Sequence, residues 1–169
     1  MNKQVYIAGP MEGLSATEMK GWRDQLTTLL NKGHKVGVKD PTRRLPFRAN
    51  EDDMNRARSV FQADLMDIDD CRVVFFDFRK GKGYAWGTAM EAMYAYMNKK
   101  PLVIWVNPED PKHPFLESMC TIKVTTLEEG AAAVISLLEP EEREAPCLDS
   151  SHTTFGAGPL GSFPYIHKQ

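Results

Sequence analysis

Two unbroken apolar runs, Val73–Phe76 (VVFF) and Leu102–Val106 (LVIWV), constrain this chain more than any other feature. Strands so uniformly apolar are stable where both faces are covered, the condition of a parallel sheet with helices packed on either side. The chain between them supplies the crossover: a loop rich in Gly and Lys, the small turn Gly87-Thr88-Ala89, and a helical stretch over 87–99. The same rhythm runs through the rest of the sequence. Val5–Ala8 is a short apolar strand stopped by Gly9-Pro10. Ser15 or Thr17 can cap a helix over 16–32, where Trp22, Leu26, Leu29 and Leu30 recur at helical spacing and Gly33 marks the stop. Lys35–Val38 reads as a second, weaker strand, followed by a loop, Lys39–Asn50, that holds Arg43, Arg44 and Arg48. Residues 51–69 form a helix striped by Val60, Phe61, Leu65 and Ile68, with Asp64 beside the stripe. Ile122–Val124 is a fifth strand, and Thr125 or Thr126 caps a last helix with Glu128 and Glu129 in its first turn. Five alternations predict a doubly wound, five-stranded parallel α/β sheet of the Rossmann or flavodoxin kind, with right-handed crossovers and helices on both faces.

That pattern fills residues 1–138 as one domain, a normal size for a chain of 169 residues. Beyond Leu138 the periodicity stops, and 139–169 reads as a Pro/Gly/Ser-rich tail or arm. Its Phe155, Phe163 and Tyr165 are spaced like anchors, so the arm is expected to pack along its own body or a neighbouring subunit. A formal charge of −2, with 26% charged residues, gives no basic footprint for a nucleic-acid polymer. No apolar run approaches the roughly 18 residues of a membrane span. The start of the chain enters a strand directly, without a signal-peptide core. Cys71, Cys120 and Cys147 are odd in number and widely spaced, which points to a reducing cytoplasm rather than a disulfide framework. Neither they nor the scattered histidines have metal-ligand spacing, and no metal or other cofactor is expected.

In this topology the loops after the strands gather along one edge of the sheet: Gly9–Ser15, Asp40–Asn50, Asp77–Trp86 and Asn107–Phe115. A helix opening at Gly87 puts Glu91 in its first turn at the same edge. The unpaired N–H groups and positive dipole end there would hold a carboxylate ionised, as a carboxylate nucleophile must be. Position alone leaves the simpler reading open, since an acid near a helix start gains about 0.3–1 kcal/mol without any catalysis.

Three motifs in order carry a resemblance: VYIAGPMEG, ADLMDIDDCRVVFF and GTAMEAMYAYMNKKPLVIWV. The chain resembles, from about Val5 to Leu138, the nucleoside 2-deoxyribosyltransferase family and its N-glycosidase relatives. The resemblance implies that Glu91 is the nucleophile that attacks the anomeric carbon and displaces the base, and that Tyr6 contacts and orients it. It implies that Asp64 faces the nucleobase and assists its protonation. Gly9, Pro10 and Met11 would wall the sugar, and Gly87 and Thr88 would lie at its hydroxymethyl or phosphate end. Chemically this is half of a retaining glycosidase scheme: one carboxylate forms a glycosyl-enzyme, and a second base or water resolves it. The implied substrate is a nucleoside or nucleoside 5′-monophosphate. Asp77, at the correct edge, is a further candidate for base or sugar contact, or it bonds only the next turn. Arg43 and Arg44 could bind a 5′-phosphate or form a basic surface loop, and Lys80 and Lys82 are equally open.

Two departures from the family's pattern stand near Glu91; the first weakens an assignment to the transferases proper, and the second only repacks the helix. Ala85 stands where several of the transferases have an acid, six residues before the nucleophile, and Ala92-Met93 replaces a Leu-Gly-like pair. Hydrolysis is therefore the close alternative to sugar transfer. Gly-Thr-x-x-Glu also resembles the phosphoribohydrolases that release cytokinin-type bases, although GYAW stands where those carry Pro-Gly-Gly. A nucleotide-binding module without turnover is the contrasting class. Family members complete each site from a neighbouring chain, which implies a homodimer or larger with the His113–Cys120 region reaching across. Met90, Met93, Tyr94, Tyr96 and Met97 exceed one core-facing stripe, which suits an interface. Trp86 and Tyr84 could stack on a base or cover that interface.

Overall fold

A computed structural model of the chain describes residues 3–47, 54–80 and 86–139. Five strands form one sheet: β1 (Gln4–Ala8), β2 (Gly37–Lys39), β3 (Val73–Asp77), β4 (Leu102–Trp105) and β5 (Ile122–Val124). All pairings are parallel, and the order is β2-β1-β3-β4-β5. Five helices connect and flank them: α1 (Ala16–Asn31), α2 (Met54–Asp70), α3 (Trp86–Met97), α4 (Pro114–Met119) and α5 (Leu127–Leu138). The doubly wound parallel sheet read from the sequence is the fold observed.

Side chains alternate across each strand, so each face of the sheet builds its own core. Val5 and Ile7, Val73 and Phe75, and Val103 and Trp105 pack with Trp22, Leu26 and Leu30 of α1 and with Ala131, Val134 and Leu138 of α5. Tyr6 and Ala8, Val74 and Phe76, and Leu102 and Ile104 face the other way, onto Ile68 of α2 and Ala92 and Ala95 of α3. Every residue of β3 is buried, which is why its sequence carries no polar alternation. Seating α5 on β3 depends on Gly130, since a Cβ there would lie 2.5 Å from the Phe75 ring edge. Ser15 and Thr126 each close a capping box, with Glu18 and Glu129 respectively, and so define the starts of α1 and α5.

The structure departs from the sequence reading where elements are short. The second strand is Gly37–Lys39 rather than Lys35–Val38, because the turn after α1 continues through Gly33 (φ 90°) and Lys35 (φ 50°). A 3-10 helix over Pro41–Phe47 lies inside the expected loop, and α4 ends the loop expected over Asn107–Phe115. Neither is long enough to show a helical period. Arg48, Lys82, Tyr84 and Ala85 lie outside the described residues, as does the tail from 140 onward with Cys147, Phe155, Phe163 and Tyr165. Among the described residues no helix is long and apolar enough to cross a membrane.

Candidate active site at the switch point

The chain leaves β1 toward β2 on one side and returns as β3 on the other, so a crevice opens at the carboxyl ends of β1 and β3. Gly9 makes that crevice possible. A Cβ on it would stand 2.8 Å from Cβ of Asp77 and 2.9 Å from the Trp22 ring, so the loop crosses the sheet edge only without a side chain. Pro10 after it is buried and Met11 is partly exposed.

Tyr6 and Glu91, far apart in sequence, meet at this edge. Tyr6 sits mid-β1 on the α2/α3 face with no exposed surface, and its hydroxyl donates to Glu91 Oε1 at 3.0 Å. Burial pushes the Tyr6 phenol far above its ordinary range, and the carboxylates of Glu91 and Asp64 push it further, so it stays protonated and donates. Glu91 itself is partly buried. It does not lie in the first turn of its helix: α3 already begins at Trp86, which places Glu91 in the second turn. The dipole argument weakens accordingly, since the field falls off within the first turn. Gly87 and Thr88 occupy that first turn, with Thr88 buried and open space beside Gly87.

Asp64 is buried in α2, and its carboxylate, with that of Asp67, acts on the buried Tyr6 phenol. Its Oδ1 accepts from Arg44 Nη1 at 2.7 Å, and the same nitrogen lies 2.6 Å from Asp67 Oδ2. Arg43 also donates to Asp67, and Lys39 Nζ stands 3.4 Å from it. Burial works against charge on Asp67, but the hydrogen bonds from Arg44 and Arg43 outweigh it and hold the carboxyl below its ordinary range. Arg43 and Arg44, open in the sequence between phosphate ligands and a basic loop, are thus engaged with the acids of α2. Asp69 and Asp70, from the same acid-rich run, are exposed.

Asp77 stands apart from this group. It shares the face of Val73 and Phe75, is buried, and accepts from Arg79 Nε at 2.9 Å and Arg79 Nη2 at 2.8 Å. The Arg79 guanidinium lies 3.3 Å from the centroid of the Trp105 ring, so the pair forms a plug on the α1/α5 face. The structure therefore brings together Tyr6, Glu91 and Asp64, and turns Asp77 to the opposite side of the sheet, where it lies close to Gly9.

Arg23 and Arg79 were not singled out from the sequence. Arg23 is fully buried in α1, donating from Nη2 to the Gly9 carbonyl at 2.9 Å and from Nη1 to the Met19 carbonyl. Its position one residue from Trp22, on the apolar side of α1, is the signal that could have marked it. Among the described residues no group of three His, Cys, Asp or Glu side chains converges as metal ligands.

The sequence model of the family described as "nucleoside 2-deoxyribosyltransferase like" matches residues 2–109, more than half of the chain and the part that holds every residue just placed at the sheet edge. No curated protein matches it. Among solved structures, the 2-deoxyribosyltransferase of the psychrotolerant bacterium Bacillus psychrosaccharolyticus is similar with a TM-score of 0.64. That likeness covers 78% of this chain and 95% of the other at 16% identity, and it shows the shared fold. The 2-desoxiribosyltransferase from Leishmania mexicana is 24% identical over 69% of this chain and 70% of that one, with a TM-score of 0.48.

Proposed function

This chain belongs to the nucleoside 2-deoxyribosyltransferase-like family, and from that premise we propose that it cleaves the N-glycosidic bond of a (deoxy)ribonucleoside or its 5′-monophosphate through Glu91, passing the sugar to another base. The observation that carries the proposal is the 3.0 Å hydrogen bond from the buried Tyr6 hydroxyl to Glu91 Oε1. It fixes one oxygen of a partly buried carboxylate, and in this reading the sugar lies between that carboxylate and the segment Gly9, Pro10 and Met11. A Glu91 oxygen attacks the anomeric carbon, the carbon–nitrogen bond breaks, and its electron pair leaves with the base, which takes up a proton. Asp64, anchored by Arg44, is the group on the base side that accepts a hydrogen bond from that base and steadies its proton. Gly87 and Thr88 meet the 5′ end of the sugar. Attack by a second base nitrogen on the glycosyl ester then releases Glu91 with inversion at each step and retention overall.

The proposed assembly is a homodimer or larger oligomer built on α3. Trp86, Met90, Met93 and Met97 are all exposed and recur at intervals of four, three and four residues, the spacing of a helix–helix seam. Phe61 and Met66 of α2 and Phe115 of α4 are further large apolar side chains left exposed. A second copy seated there would lie against the helix that carries Glu91 and bring its own α4 region near the site.

Hydrolysis is the second reading, favoured by Ala85 in the position where several transferases of the family have an acid. The test is incubation with a deoxynucleoside or its 5′-monophosphate, with and without a second free base. A new nucleoside should form only with the acceptor, whereas free sugar released regardless of acceptor would establish hydrolysis and sink the transfer step. Glu91→Gln should keep binding and lose base release; unchanged turnover would refute the nucleophile assignment, and wild-type binding without turnover would identify a binding module.

A further inference from the structure

Asp64 and Asp67 stand three residues apart on α2, so their carboxylates leave one face of the helix. Both are almost wholly buried, with side chains 5% and 7% exposed. One guanidinium nitrogen serves the two: Arg44 Nη1 lies 2.7 Å from Asp64 Oδ1 and 2.6 Å from Asp67 Oδ2. Oxygens that share a nitrogen at such distances are close neighbours. Two buried acids so placed tend to keep one proton between them unless a cation separates their charges. Arg44 is that cation, and Asp67 meets further positive charge in Arg43 and in Lys39 Nζ at 3.4 Å.

The segment that carries Arg44 is itself held in place. Its 3-10 helix follows Asp40, whose carboxylate accepts from the Thr42 amide at 2.8 Å and from the Thr42 hydroxyl at 2.7 Å. The Asp40 carbonyl accepts from Arg43 Nη1 at 2.8 Å, and Arg44 Nη2 donates to the Ala63 carbonyl at 3.4 Å. The guanidinium is thus tied to the backbone of α2 as well as to its acids.

Ionisation decides what a buried acid recognises. A carboxylate only accepts hydrogen bonds, whereas a carboxylic acid also donates one. A base that turns a bare ring nitrogen or a carbonyl oxygen toward a buried carboxylate sets lone pair against lone pair, and both groups lose water without replacement. A base that turns an amino group there supplies the donor the carboxylate lacks.

We propose that Arg44 is a specificity-determining residue: its guanidinium keeps Asp64 and Asp67 ionised together, so Asp64 meets the base as an acceptor and selects nucleosides whose base carries an exocyclic amino group. This rests on the reading of Asp64 as the base-side group of a site that cleaves the glycosidic bond.

The test is kcat/KM for base release by the full chain from two pairs of 2′-deoxynucleosides. One pair carries 6-aminopurine and unsubstituted purine, the other 4-amino-2-pyrimidone and 2-pyrimidone. The quantity read is the amino-to-unsubstituted ratio within a pair, compared between variants so that leaving-group reactivity cancels. Arg44→Met should let the acid pair keep a proton at neutral pH and lower the ratio roughly 10- to 100-fold, the worth of a hydrogen bond to a charged group. Raising the pH should return the ratio toward the wild type as the pair gives up that proton. Arg44→Lys, which keeps the charge, should keep the ratio. In the wild type the ratio should hold from about pH 8 to about pH 5.5, and a drop over that range would show a shared proton despite Arg44 and overturn the proposal even where Arg44→Met does not fold. An Arg44 that only braces α2 would lower the melting temperature and slow all four substrates alike, leaving the ratio unchanged in folded Arg44→Met; that result would also overturn the proposal. Failure of the parent reading is distinguishable: Asp64→Asn, whose amide both donates and accepts, would then leave the ratio unchanged as well, or Glu91→Gln would still release base.

Discussion

Tyr6→Phe removes a single oxygen from a side chain that has no exposed surface, so its effects are confined to what that oxygen does. The oxygen donates to Glu91 Oε1 at 3.0 Å, and a hydrogen bond to a charged acceptor contributes about 1.5–3 kcal/mol. At about 1.4 kcal/mol per factor of ten, full expression in the transition state would be roughly a 10- to 150-fold loss of kcat/KM. Glu91 is only partly buried, so water can replace the lost donor in part, and the expected loss lies in the lower half of that range, about 10- to 30-fold. The donor stabilises the carboxylate form, so its removal raises the cost of ionising Glu91 and moves the acid limb of the profile to higher pH. The phenyl ring keeps its packing against Ala8, Phe76, Ala92 and Ala95, so the cost in stability should stay near 1 kcal/mol, roughly 2–4 °C for a domain of this size. The assay is base release followed by ultraviolet absorbance across pH, with calorimetry on the same samples. A variant whose rate and pH profile superimpose on the wild type would show that Tyr6 is only a core aromatic.

Gly9→Ala should lower the melting temperature, because the new Cβ meets Cβ of Asp77 at 2.8 Å and the Trp22 ring at 2.9 Å; overpacking of this kind costs about 1–3 kcal/mol, and unchanged calorimetry would refute the close approach. Asp67 is held below the ordinary carboxylate range by Arg44 and Arg43 against the effect of burial. Its contribution is therefore present above its unfolded pKa of about 3.9 and is lost as pH falls through the depressed native value. Urea unfolding at neutral and acid pH should show Arg44→Met losing less stability on acidification than the wild type; an equal loss would remove Arg44 from the account. Burial raises the Cys71 thiol to about 12, so native-state alkylation near pH 8 should label the partly exposed Cys120 first, and equal labelling of the two by peptide mass spectrometry would contradict that burial.

The sheet was legible because local composition carries it. VVFF and LVIWV need cover on both faces whatever their neighbours are, and the helical stripes between strands set the crossovers. Capping was legible to within a residue or two, since Ser15 with Glu18 and Thr126 with Glu129 are local pairs. Beside the family resemblance, Glu91 stood out as an acid near a helix start, although its turn within α3 was misplaced because the helix begins at Trp86 rather than Gly87. The partners of Glu91 were another matter. Tyr6 reaches it because the order β2-β1-β3-β4-β5 sets β1 beside β3, with α3 over the same face, and strand order is not written in any local period. Rotation of α2 decided that Asp64 and Asp67 turn inward while Asp69 and Asp70 stay exposed. The two-residue period of β3 turned Asp77 with Phe75, away from Tyr6 and toward Arg79. Arg23 is the sharpest case: its residue type predicts the surface, and only the packing of α1 under the Gly9 loop makes it a buried cation. Local chemistry chose the elements of this protein, and contacts between distant residues, available only once the strands are ordered, chose which of its charges face one another.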